Sequence, residues 1–501
     1  MTSGDTAACR RIGRDHDRDA PGPEVGPLPV GFGIRLDASA RALRPDLWFG
    51  GSPARVLRLT PAGRSSLLRL RAEGVRDVTG GRLARRLTDA GLAHPVPPAA
   101  GAAASSAVTV LVPVLDRPEV LDRCLRALGR AHPVVVVDDG SSDPAAIERV
   151  AARHGARLVR REVNGGPGAA RNDGLAVIDT EFVALLDSDC APPPGWIDEL
   201  LGHLRDPAVA AVAPRVTSAG TGQRGWAARY CRARGGLDLG DRPGRVVPRT
   251  RIAYVPTAAL VARTHALRSV ARGGYVFDPA LRYGEDVDLV WRLHDAGWRV
   301  RYEPGTGVGH HDPAGLAALL RRRYRYGSSA APLGRSHPDA VPPLVVHPWA
   351  TATVVALLAG RPALAVAGFT AAVRSTAEAL RTAGVPTDGT TRAMAGAVGQ
   401  TWLGLGRYLT QVAAPALAVA AAVPGSRVRR AAALSLLAGP SVAAWAPRRS
   451  ELDAPRFVAA HVADEVAYGL GVWAGCLRTR TLVPLRPVVA RAPRRTTAPS
   501  T

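Results

Sequence analysis

The stretch "FVALLDSDCAPPPGW", residues 182–196, carries five mostly apolar residues straight into two carboxylates, Asp187 and Asp189, one residue apart. A run of that length reads as a buried strand, and Ser188 turns the chain at its end, so both acids can face one cleft. Hard oxygen ligands of this kind suit Mg2+ or Mn2+, and such a cation binds a diphosphate and neutralises charge as it leaves. Taken alone, the same residues also fit a turn followed by an acid that caps the helix near Trp196.

Three other stretches hold groups of the same kind. "VVVVDDGSSD" ends an earlier apolar run on Asp138 and Asp139, and "NGGPGAARNDG" sets a glycine-rich turn ahead of Arg171 and Asn172. "YGEDVDLVWRLHDAGWRVRYEP" puts Glu285 and Asp286 in the first turn of a helix whose Leu289, Val290 and Leu293 share a core face and which Gly297 stops. Acids in a first helical turn also complement the macrodipole without doing chemistry. His310 and His311 follow the strand-like "WRVRYEP"; the arginines of "RRRYRYG", 321–327, offer forks that fit phosphate oxygens or form a solvated basic face.

These groups need elements to position them. From residue 107, apolar runs of strand length alternate with helical segments: "VTVLVPV" precedes "PEVLDRCLRALG", where Leu121, Cys124, Leu125 and Leu128 share one face. That alternation predicts an α/β domain, a mostly parallel sheet covered on both faces, with ligands at the carboxyl ends of its strands. Residues 1–27 read as disordered, 28–95 as a compact module with two helices, and the Pro/Ala/Ser-rich 96–106 as a linker. The α/β domain is expected over 107–335, an Ala-rich helical region over 336–485, and a disordered tail over 486–501. Residues 340–360, 408–426 and 431–447 lack Asp, Glu and Arg and approach membrane-spanning length. Prolines interrupt them, and Ala-rich helices in a bundle would look the same.

The 501 residues carry a formal charge of +23, with 65 basic residues, every one arginine. Such a balance attracts a nucleotide diphosphate or an anionic membrane leaflet, and a G+C-rich genome produces the same bias. Zinc-finger spacing, basic-plus-heptad and aromatic RNA-binding patterns are missing, so nucleic acid is not an expected partner. The five cysteines form no CxxC pair, and residues 1–27 hold no secretory signal; a reducing cytosol is expected.

In their order, "PVLDRP", "DDGSSD", "DSD" and "GEDVDL" resemble the family 2 glycosyltransferases with the GT-A fold, a Rossmann-like nucleotide-diphospho-sugar transferase, over residues 107–312. The resemblance implies that Pro113, Asp116 and Asp138, with Asp139, Arg171 and Asp187, bind the donor nucleotide and its diphosphate. It makes Asp189 and Asp187 the metal-holding pair, with His310 or His311 as a further ligand for Mg2+ or Mn2+. Asp286 becomes the catalytic base, with Glu285 beside it. A carboxylate there would take the proton of an attacking hydroxyl, while the cation offsets charge on the leaving diphosphate. The QxxRW of processive membrane synthases is absent.

"SPARVLRLTPAGRSSLLRLRAEG" and "RLARRLTDAGLAHPVP" are similar to the small winged-helix domains that recognise ribosomally made peptides. With the Ala-rich tail, nearly the whole chain resembles the mycofactocin-system glycosyltransferases. That implies transfer of glucose from UDP-glucose to a peptide-derived redox cofactor, building a short β-1,4-glucan. A hexosyltransferase at the inner face of the membrane, acting on a polyprenyl phosphate or cell-wall glycan, and a non-catalytic binding module stay open as alternatives.

Overall fold

The computed structural model describes residues 23, 25–98, 107–219, 224–311, 315–340 and 344–489. Most of the expected linker and both chain ends lie outside the described residues.

The amino-terminal module contains strands β1 (Gly33–Leu36), β2 (Arg41–Arg44), β3 (Leu47–Gly50) and β4 (Arg55–Arg58), helices α1 (Pro61–Glu73) and α2 (Val78–Asp89), and strand β5 (Ala93–Val96). β2, β3 and β4 form an antiparallel sheet, and β5 returns to pair with β1. Thr60 and Asp77 cap the two helices by accepting from the backbone N–H of Gly63 and Gly80. Leu57, Leu59, Leu67, Leu87 and Leu92 make the small core. The module packs on the next domain through one buried and one half-buried ion pair. Arg85 donates two bonds of 2.7 Å to Asp206, and Arg299 donates 2.8 and 2.5 Å bonds to Asp89.

The central domain begins with β6 (Val108–Val114), α3 (Pro118–Leu128), β7 (Val134–Asp138), α4 (Pro144–Arg153), β8 (Arg157–Arg160), α5 (Pro167–Ala176) and β9 (Phe182–Leu186). There follow β10 (Cys190–Ala191), α6 (Trp196–Leu204), β11 (Val209–Ser218), α7 (Trp226–Arg234), β12 (Gly244–Val246), β13 (Ala259–Arg263), α8 (Thr264–Ser269), α9 (Glu285–Asp295) and β14 (Arg299–His310). The strands join one sheet in the order β10-β14-β11-β13-β9-β6-β7-β8, with β12 on β14. Every residue of β6 is buried, as a central strand covered on both faces requires.

The sheet is mixed, which corrects the expectation of a mostly parallel one. β6 through β9 are parallel, but β13 runs antiparallel to both β9 and β11. The chain reaches β13 after the long excursion through α7 and β12, so it enters the sheet from the opposite end. Pairing of β6 with β9 stops at Leu111 and Leu185; Pro113, two residues on, has no N–H to continue it. β6 thus parts from β9 on one side while staying paired with β7 on the other, opening a crevice at its carboxyl end.

Helix α10 (Leu316–Ser336) leads into strand β15 (Val345–Val346) and helices α11 (Pro348–Leu358), α12 (Pro362–Thr382), α13 (Thr390–Ala422), α14 (Arg427–Trp445) and α15 (Ala454–Thr479), and strand β16 (Val488–Val489) ends the described chain. Among the described residues no helix is long and apolar enough to cross a membrane. The stretch 408–426 is broken at Ala413, ahead of Pro415, and the indole N–H of Trp473 donates to the Val412 carbonyl beside that kink at 3.1 Å.

α15 anchors this region to the central domain. Asp464, wholly buried, accepts from Arg234 of α7 at 2.8 Å and from Arg323 of α10 at 2.5 Å. The helices approach closely at glycines: a Cβ on Gly471 would lie 2.0 Å from the Tyr324 carbonyl oxygen. We expect Gly471→Ala to force α10 and α15 apart at a cost of about 1–3 kcal/mol, read as a lowered midpoint in denaturant unfolding.

Candidate active site

The acids singled out from the sequence lie at the ends of β6, β7 and β9 and at the start of α9. Their roles differ sharply. Asp116 and Arg117 hold positive φ, 45° and 98°, in the turn after β6. Exposed Asp116 accepts from the N–H and hydroxyl of Ser142, both at 2.8 Å, and donates its own N–H to Ser141 Oγ. Those bonds from Ser142 hold its carboxyl below the usual range.

Asp138 and Asp139 shape the loop after β7. Asp138 is fully buried, accepts from the Ser141 N–H at 2.9 Å and is ion-paired with Arg160. Asp139 accepts from the N–H groups of Gly165 and Gly166 at 2.9 and 2.7 Å and pairs with Arg161. The glycine-rich turn therefore already holds an anion, this chain's own. Both acids are thus engaged by backbone N–H groups and arginines, and buried Pro113 lies within the β6 ladder opposite Val137.

Arg171 lies on α5. It is buried and donates to Asp187 Oδ1 at 2.6 Å and to Glu285 Oε1 at 3.0 Å, its guanidinium 5.5 Å from the centroid of Phe277. It ties the loop after β9 to the start of α9. Arg171→Met would leave two acids without their shared cation, and we expect a loss of about 3–5 kcal/mol in unfolding free energy.

The turn at Asp187-Ser188-Asp189 closes with the Cys190 N–H donating to the Asp187 carbonyl at 3.0 Å, and the Asp187 N–H donates to Ala258 O. β10 then pairs Cys190 with His310, which sets His310 Nε2 3.4 Å from Asp189 Oδ1. His311 approaches through its backbone, whose N–H donates to the Asp189 carbonyl at 3.0 Å. The four expected metal ligands thus do not converge. Asp187 turns to Arg171 and the Asp189–His310 pair remains; among the described residues no group of three or more His, Cys, Asp or Glu is arranged around one point. One carboxylate and one imidazole fit a cation that takes its other ligands from the substrate's phosphates and water.

Across the crevice, Gly284 precedes α9 with φ 79°, and a Cβ there would meet Leu333 and Ser329 of α10 at 2.9 and 3.0 Å. This close approach lays α10 over the two acids that follow. Glu285 is buried; burial, reinforced by Asp286 and opposed by Arg171, pushes its carboxyl up to about 7. Asp286 is half-buried and accepts from the Val287 N–H at 2.8 Å. Burial also raises its carboxyl above the ordinary aspartate value. A raised carboxylate at the rim of a crevice is a better proton acceptor at neutral pH.

Two neighbours of Asp286 were not singled out from sequence. Tyr254 is exposed beside it, and burial, with the field of Asp286 adding to it, raises the hydroxyl of Tyr326 to about 12. Tyr326 belongs to "RRRYRYG", in which arginines outnumber the aromatic residues. Of those arginines, Arg323 is committed to Asp464 and stacks 4.8 Å from the Tyr468 centroid, and Arg325 lies over Tyr283. Arg322 lines a small hollow with His310.

The glycosyl transferase family 2 model matches residues 109–266. The pre-mycofactocin glycosyltransferase of Mycobacterium tuberculosis (strain H37Rv) is 38% identical over 474 residues, 92% of this chain and 98% of its own. A match of that extent takes in the amino-terminal module and the helical region as well as the sheet. An uncharacterized glycosyltransferase of the same organism is 32% identical over 220 residues, 41% of this chain and 88% of its own. The mannosyltransferase PcManGT from Pyrobaculum calidifontis aligns over 71% of this chain and 86% of its own, with TM-score 0.39 and 20% identity.

Proposed function

The chain belongs to the pre-mycofactocin glycosyltransferases of family 2, enzymes with the GT-A fold, and from that premise we propose that it moves glucose from UDP-glucose onto a peptide-derived redox cofactor, extending a short β-1,4-glucan. The observation that carries the reading is Asp286, half-buried and raised at the head of α9, across Arg171 from the Asp189–His310 pair.

In this reading an acceptor hydroxyl attacks the anomeric carbon from the Asp286 side and gives its proton to that carboxylate. The bond from the anomeric carbon to the phosphate oxygen breaks as the new glycosidic bond forms, so one displacement inverts the configuration. Asp189 and His310 would hold Mg2+ or Mn2+, which offsets charge on the departing diphosphate. Asp116, at the mouth of the crevice, would meet the nucleoside. Arg171 keeps Asp187 and Glu285 in place and limits the repulsion Asp286 feels from them. Tyr254 and Tyr326 would flank the acceptor beside the base.

A donor panel tests the reading: UDP-glucose, UDP-galactose and GDP-mannose, each with the deglycosylated acceptor, followed by digestion with a β-1,4-specific glucanase. Preference for UDP-glucose and a glucanase-sensitive product are expected. Equal use of GDP-mannose, or a product the glucanase cannot cut, would remove the donor or the linkage from the proposal. The second reading, a hexosyltransferase acting on a polyprenyl phosphate or cell-wall glycan, draws on the apolar residues exposed in the helical region. A lipid-linked hexose product would select it.

A further inference from the structure

The helical region ends in two hairpins, α11–α12 turning at Gly360 and α13–α14 turning at Gly425. Their tips touch: a Cβ on Gly360 would lie 3.0 Å from the Val428 side chain. Around this joint Leu357, Leu364, Val366, Val419, Val423 and Val428 are 43–65% exposed, each within about one turn of a hairpin end. Arginines stand among them. Arg361 and Arg427 are exposed, while Arg429 donates to the carbonyls of Val423 and Pro424 at 2.7 and 2.9 Å, capping α13 and holding its charge at the tip. Arg430 does the same to Ala421.

No acid offsets this charge nearby in sequence. The chain has no Asp or Glu from Ala340 to Ala377, and none from Gly389 to Ser450. A cap of exposed aliphatic side chains interleaved with uncompensated arginines matches the boundary of an anionic bilayer, which takes apolar groups below the headgroups and guanidinium groups at their level. A protein partner would need an apolar patch ringed by acids; a bilayer needs only the composition this tip has. Since no described helix is long and apolar enough to cross, the mode is lying on the surface.

We propose that the joined hairpin tips are a docking surface for an anionic lipid bilayer, which the full chain touches without spanning. This inference is independent of the sugar or acceptor used. The test is sedimentation of the full chain with phosphatidylcholine vesicles, with and without about 30% phosphatidylglycerol. Binding should rise about tenfold or more with the anionic lipid and fall by a similar factor between roughly 0.1 and 0.5 M salt. Leu357→Glu/Leu364→Glu should abolish it. Arg361→Glu/Arg427→Glu, changes at exposed positions, should remove the salt-sensitive part and keep transferase rates. Equal sedimentation with both lipids, or binding that survives the leucine changes, overturns the proposal. So would a dimer that those changes break while vesicles are ignored, since it would assign the face to a second copy. The wild-type lipid and salt dependence decides the matter even if a variant folds poorly.

Discussion

Asp286→Asn is expected to lower kcat for hexose transfer about 10²–10⁴-fold, the usual contribution of a positioned general base, with little change in donor KM. The substitution is nearly isosteric, and the amide oxygen can still accept from the Val287 N–H as the carboxylate does. A folded protein that has lost its proton acceptor is therefore the expected species. The sign of the pH effect follows from the same group. The base acts deprotonated, so kcat/KM should rise with pH through its titration. Because burial raises that carboxyl, the acid limb should lie above the ordinary aspartate value of about 3.9. The Asn variant should lose this limb. Initial rates of UDP release across pH would show both effects; a variant with a normal rate and an unchanged limb would mean the base is another residue.

Asp189→Ala should also be severe, on the order of 10²–10³-fold in kcat, because it removes the carboxylate of the Asp189–His310 pair. Chelation of divalent cations should reduce the wild type to the level of the variant and add nothing to the variant's own loss. His310→Ala should fall between them, since an imidazole can be replaced by water on a hard cation more readily than a carboxylate. Full activity of Asp189→Ala in the presence of chelator would show that the leaving diphosphate is stabilised without a metal, by groups such as Arg322.

Motif order and periodicity were enough to place the carboxylates. The alternation of "VTVLVPV", "VVVVD" and "FVALL" with amphipathic helices put each acid at a strand end, and the apolar face of Leu289, Val290 and Leu293 fixed α9 and its first turn. What sequence could not give was the pairing of charges. Arg171 and Glu285 stand 114 positions apart, and nothing local in either segment says that one neutralises the other. The capture of Asp139 by two glycine N–H groups was just as illegible, because it depends on how α5 packs. The direction of β13 was equally hidden, since a buried apolar strand reads the same both ways.

The helical region was the least legible part. Alanine presents no distinct face, so membrane spans and packed helices look alike. The difference lies in Asp464 and in glycines such as Gly471, whose partners on α7 and α10 are far away in sequence. That packing brings Tyr326 to the crevice and makes α10 a wall of the site, a role no motif announced.

The most direct test of the central claim is mass spectrometry of the deglycosylated peptide-derived acceptor after incubation with UDP-glucose, a divalent cation and the full chain, with Asp286→Asn and Asp189→Ala in parallel. Stepwise hexose additions with wild type, lost in both variants, are the predicted result. An acceptor that gains no hexose while the donor is turned over, or additions that persist in both variants, would contradict the account.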